Sequence, residues 1–111
     1  MEKFFTYYSR EIPVDKVFLL TEEILGNLYA SFSEIEGCNV FFHLQNEYFY
    51  LKSQGLIKEA AYICYLISYY LFHLLTPPHS DKLAYEYAQK AIKLDPTSKY
   101  ADWLEEVKKG N

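Results

Sequence analysis

Between Ala60 and Leu75 lie 16 consecutive residues without a single Asp, Glu, Lys or Arg. A charged side chain needs water or a partner, so a helix that carries none on any face is buried on several sides or lies in a membrane. At a rise of 1.5 Å per residue the run spans only ~24 Å, short of the ~30 Å hydrocarbon core of a bilayer. Ser68, His73 and the tyrosines of the run add to the cost of transfer into lipid. The expectation is therefore a central helix over 56–75, covered by other helices, and no membrane span. Thr76-Pro77-Pro78 closes it, because proline disfavours helical geometry in the residue before it.

The cover must come from the rest of the chain. After Pro13-Val14-Asp15, apolar residues recur at helical spacing as Ile24, Leu28, Phe32 and Ile35. This predicts a first helix capped by Asp15, with those four inward and Gly37 as its stop. A second helix is predicted from Asn39, as N-cap, to Ser53. Leu44, Tyr48 and Leu51 share its inner face, Phe41 and Phe42 add bulk, and Gly55 supplies the left-handed stop. Ser80 or Asp81 is placed to cap a fourth helix ending at Leu94. Asp95 is placed to cap a fifth, with Pro96 in its first turn. There Tyr100, Trp103, Leu104 and Val107 form the inner stripe, and Glu105, Glu106, Lys108 and Lys109 cover the outside. No stretch alternates as a strand does. The fold class expected is all-α, about five helices, whose short connections make neighbours antiparallel. Residues 1–12, with Phe4, Phe5, Tyr7 and Tyr8, are aperiodic and read as an N-terminal arm packed on a single domain of 111 residues.

Charge narrows the partners. Residues 1–55 carry four Lys/Arg against eight Asp/Glu, and the remainder seven against seven, for a net charge of −4. No basic patch is available to neutralise phosphates, which excludes nucleic acid and anionic lipid as expected partners. The first nine residues lack a basic stretch followed by an apolar run, so no signal peptide is expected. Cys38 and Cys64 then read as two reduced, buried thiols in a cytoplasmic protein.

Ala84, Ala88 and Ala91 lie on one face of the fourth helix, where small side chains let another helix approach closely. The helix ends in Leu94-Asp95-Pro96. The stretch Ala84–Pro96 resembles the second helix of a tetratricopeptide (TPR) unit. Leu51-Lys-Ser-Gln-Gly-Leu-Ile-Lys-Glu-Ala-Ala61 is similar to a unit's inter-helix turn, with Gly55 at the turn and Ala60 at a small position. Ile24–Tyr29, with Leu25-Gly26 followed by Tyr29, resembles a TPR first helix. Ala60 and Ala84 are 24 residues apart, whereas a TPR unit repeats every ~34 residues. The third helix must therefore serve two units at once, with Ala60, Cys64 and Ser68 as its small stripe. The resemblance implies a right-handed stack of antiparallel helix pairs, about two degenerate units, best over 39–96 and capped by 97–109. A generic five-helix bundle is the alternative.

Little in the chain points to chemistry. His73 and His79 flank a helix-breaking Thr76-Pro77-Pro78, not the spacing that aligns metal ligands on a helix. Cys38 and His43 are five residues apart near a helix start, where a small buried cysteine is the simpler reading than a nucleophile. The acidic pairs Glu22-Glu23 and Glu34/Glu36 suit solvated helix faces. No glycine-rich phosphate loop is present. No enzyme activity, metal or cofactor is expected.

What remains is binding. Tyr62, Tyr65, Tyr69 and Phe72 form a stripe that packs in the core or lines a partner contact, since tyrosine is enriched at interfaces. The TPR resemblance implies a groove lined by exposed first-helix residues, here Gln45, Asn46, Phe49 and Lys52; a plain solvated face is the other reading. The function expected is a non-enzymatic protein- or peptide-binding module, an adaptor or chaperone-like scaffold. The alternative is a structural protein that forms a homodimer through an apolar helix face.

Overall fold

The computed structural model describes residues 12–110, and every described element is helical. The arm expected over residues 1–12 lies outside that range except for Ile12, which is buried and whose amide donates to Glu47 Oε1 at 3.1 Å.

The single first helix of the sequence reading is two elements. A 3₁₀ helix, Val14–Leu19, opens the chain behind Pro13, so Asp15 lies inside it rather than capping an α-helix. Leu20 is extended, and Thr21 caps α1, Glu22–Ala30, its side chain accepting from the Ile24 amide at 3.2 Å. α1 stops at Ser31 because Ser33 begins the next helix with a capping box. The Glu36 amide donates to Ser33 Oγ at 3.2 Å, and the Ser33 amide donates to Glu36 Oε1 at 2.8 Å. The resulting α2, Glu34–Ser53, runs straight through Gly37 and Asn39, the expected stop and cap.

Gly37 is inside the helix for a packing reason. A Cβ there would lie 3.3 Å from a ring carbon of Tyr29 and 3.5 Å from the Tyr70 hydroxyl. That hydroxyl donates to the Gly37 carbonyl at 2.5 Å, so the glycine is where α1, α2 and the end of the central helix close on one another. Ile24, Leu28 and Phe32 pack on the core as expected. Ile35 does not, being 74% exposed, because a new helix with its own phase starts at Glu34. Leu44, Tyr48 and Leu51 are buried on the inner face of α2. Gly55, with φ of 75°, turns the chain after it.

The central helix is α3, Ile57–Tyr69, continued by one π-helical stretch, Tyr70–Leu74. Every residue from Ala60 to Ser68 is buried, as are Tyr70, Leu71 and Phe72. The charge-free run is thus the middle of the protein, with α2 on one side and α4 on another. The π stretch ends where the Leu75 amide donates to the Tyr70 carbonyl at 2.9 Å, just before the two prolines.

α4 spans Ser80–Leu94. Neither Ser80 nor Asp81 caps it; His79 holds that position in a left-handed conformation, φ 64°, with no side-chain cap bond. Ala84, Ala88 and Ala91 are buried, and Ser68 Oγ donates to the Ala84 carbonyl at 2.6 Å. A side chain of α3 touching the backbone of α4 is the close approach that small residues permit. α5, Ser98–Lys109, packs on α4, with Tyr100 and Val107 buried and Trp103 and Leu104 half-buried. Its cap is Thr97, which accepts from the Tyr100 amide at 3.3 Å, and not Asp95. Trp103 ties it to the centre by donating Nε1–H to Ser68 Oγ at 2.7 Å.

Candidate interaction face

The seven residues expected to meet a partner divide into two groups. Tyr62 and Tyr65 are in the core, and Tyr69 is half-buried at its edge. Tyr62 donates its hydroxyl to the Leu20 carbonyl at 2.7 Å, and Tyr65 donates to Glu22 Oε2. Tyr65 stacks on Tyr100 with centroids 5.5 Å apart, and Tyr69 lies 5.8 Å from Trp103. These rings clamp the 3₁₀ segment, α1 and α5 onto α3. Lys99 completes the cluster, with its Nζ 3.3 Å from Glu22 Oε2 and 4.8 Å from the Tyr65 ring centre.

The electrostatics of the cluster follow from its burial. Burial pushes the Tyr62 and Tyr100 hydroxyls up to about 12, and with the hydrogen bond to Glu22 it raises Tyr65 further. Tyr70 and Tyr87 are raised by burial as well. Burial alone would also raise Glu22, but the Tyr65 hydrogen bond and the Lys99 ammonium outweigh it and hold the carboxyl below its ordinary range. Stability from the tyrosines is fully present below their unfolded value of about 10 and is lost as pH rises from there toward their folded values. Glu22 has the opposite sense: its contribution is present above the ordinary carboxylate range and is lost as pH falls through its lowered folded value. The melting temperature is therefore expected to hold through neutral and mildly alkaline pH and to drop steeply above about pH 10. A melting temperature that stays constant across that range contradicts the buried placement of these hydroxyls.

The second group lies on α2. Gln45 is half-buried and donates Nε2–H to the Tyr87 hydroxyl at 2.8 Å, joining α2 to α4. Asn46, Phe49 and Lys52 are exposed, and the Lys52 ammonium sits 5.8 Å above the Tyr48 ring. Two neighbours escaped the sequence reading. Ile35, Phe42 and Phe49 are 74%, 56% and 60% exposed, and they recur every seven residues. At 3.6 residues per turn the three fall within ~40° of arc. That arc is opposite Val40, Leu44 and Leu51, which are buried. α2 is therefore apolar on both sides, one facing the core and one facing water. The missing signal was the true start of α2: with a helix broken at Gly37, Ile35 belongs to a different element and no seven-residue repeat exists.

Cys38 lies close to the same row and is exposed, which corrects the expectation of two buried thiols. Cys64 is buried, and burial pushes its thiol up to about 12, far from the thiolate a nucleophile needs. Among the described residues no group of three His, Cys, Asp or Glu is placed to hold a metal ion, and no helix is long and apolar enough to cross a membrane. A shallow cleft between α4 and α5, with Asp81, Lys82, Tyr85, Glu86, Val107 and Lys108 among its lining residues, carries charges of both signs. Comparison of the chain with protein-family models, with curated proteins and with solved structures returns no match.

Proposed function

We propose that this chain is a non-enzymatic protein-binding module, a small TPR-like helical scaffold that presents the outer face of α2 to a partner. The observation that carries the proposal is the row Ile35, Phe42 and Phe49, three large apolar side chains left in water on the side of α2 away from the core. Single exposed apolar residues are ordinary, but three in line on one side of one helix form a row of anchors, and exposed apolar surface of this kind marks interaction sites. Helices recognise one another through anchors spaced by whole turns, which this row supplies. Asn46 and Lys52 beside it provide a polar rim. The TPR-like part of the proposal rests on the alanine spacing of α4, and the exposed thiol of Cys38 suits a reducing compartment such as the cytoplasm.

The test is a Phe42→Glu/Phe49→Glu double variant, used beside the wild type for affinity capture from the native source. Because both rings face water, helicity by circular dichroism stays as in the wild type. Proteins retained by the wild type and lost by the folded variant support the face. Identical retained sets contradict it.

A further inference from the structure

The charges at the two ends of α2 say what kind of surface fits the row between them. Glu34 is in its first turn and Lys52 in its last, and both are exposed. They are 18 residues apart, which at 3.6 residues per turn is five whole turns. Both therefore lie on the same flank of the apolar row, one at each end, and they are symmetric about the middle of the helix. A second α2 laid antiparallel across the row brings Lys52 of each copy beside Glu34 of the other. The two-fold axis of that pairing lies one residue from Phe42, so Ile35 comes within two residues of level with Phe49 of the second copy and the two Phe42 rings meet near the axis. Parallel pairing would instead carry this flank of the two copies to opposite sides of the seam, so that neither Glu34 nor Lys52 meets an opposite charge there. Antiparallel helices also oppose their dipoles favourably.

We infer that the outer face of α2 binds a second copy of this chain, as an antiparallel, two-fold symmetric helix pair. The contact is isologous, so both apolar rows are covered at once and no edge is left open for further growth. The inference rests on the proposed role of this face and names its partner. Glu34 and Lys52 set the direction of the pairing, and the three apolar residues supply most of the burial.

Sedimentation equilibrium of the purified wild type and four variants tests this. The wild type is expected to dimerise at tens of micromolar. Phe42→Glu is expected to weaken the dimer at least ~100-fold, by placing two carboxylates at the axis. Lys52→Glu and Glu34→Lys each create two like-charge pairs and are expected to weaken it about tenfold. The Glu34→Lys/Lys52→Glu swap restores wild-type affinity, and only the antiparallel arrangement predicts that rescue. A monomeric wild type, or a dimer indifferent to Phe42→Glu or unrescued by the swap, overturns the inference. If the wild type is monomeric yet Phe42→Glu/Phe49→Glu loses captured proteins, self-association falls and the binding face stands. If capture is also unchanged, both fall.

Discussion

Tyr70→Ala is expected to cost about 3–5 kcal/mol, the range for deleting a large buried aromatic side chain. Tyr70 is fully buried at the point where α3 passes into its π-helical stretch. Its ring meets Tyr29 edge-on at 5.6 Å, and its hydroxyl holds the Gly37 carbonyl of α2. Alanine leaves a ring-sized cavity among three elements and removes the hydroxyl that ties the Gly37 carbonyl to them. Set against the 5–15 kcal/mol that holds a typical domain together, that is a large fraction of the whole. Tyr70→Phe keeps the ring and loses one hydrogen bond to a carbonyl that keeps its helical partner, so it is expected to cost about 0.5–1.5 kcal/mol. Urea denaturation of both variants checks this. A Tyr70→Ala loss below about 1 kcal/mol contradicts the closure of α1, α2 and α3 on this ring.

Ala88→Trp is expected to be comparably damaging for the opposite reason. Ala88 is 1% exposed in the middle of the alanine face of α4. Ser68 reaches across to the Ala84 carbonyl one turn away, which shows how little room the face leaves. Overpacking such a contact costs about 1–3 kcal/mol, and an indole in place of a methyl group is at the upper end or beyond. Lys90→Trp, an exposed position on the same helix, is the control and is expected to change stability by no more than about 0.5 kcal/mol. Equal melting temperatures for the two variants would show that Ala88 is not in a helix seam.

The central helix and the alanine face were legible in the sequence because each rests on a strong local requirement. Ionised side chains need water, so the charge-free run of 60–75 had to be buried. Close backbone approach needs small residues, so Ala84, Ala88 and Ala91 had to face a neighbour. Gly55 was legible for the same reason, as the left-handed conformation it adopts is strained for other residues. Helix starts were not legible with equal force. Ser33 and Thr97 cap through side-chain bonds that several nearby Asn, Asp and Ser residues could equally make. Gly37 looked like a stop because its reason for being glycine, the rings of Tyr29 and Tyr70, comes from other elements.

That one boundary decided what could be seen of the site. A helix starting at Asn39 contains Phe42 and Phe49 but not Ile35, and two aromatic residues make no row. The tyrosines were ambiguous for a different reason. Spacing puts Tyr62, Tyr65 and Tyr69 on one side of a helix that is apolar all round, and spacing alone cannot choose between core and groove. The partners that satisfy the hydroxyls of Tyr62 and Tyr65, Leu20 and Glu22, lie more than 40 residues away in sequence.

The central claim is that Ile35, Phe42 and Phe49 serve something other than the fold. The melting temperature of Phe42→Glu/Phe49→Glu, taken at a dilution where the wild type is monomeric, tests it most directly. Side chains that face water contribute little to a monomer, so the variant is expected to melt within a few degrees of the wild type, about 0.5 kcal/mol or less. A fall of tens of degrees would place the two rings in the core and contradict the claim.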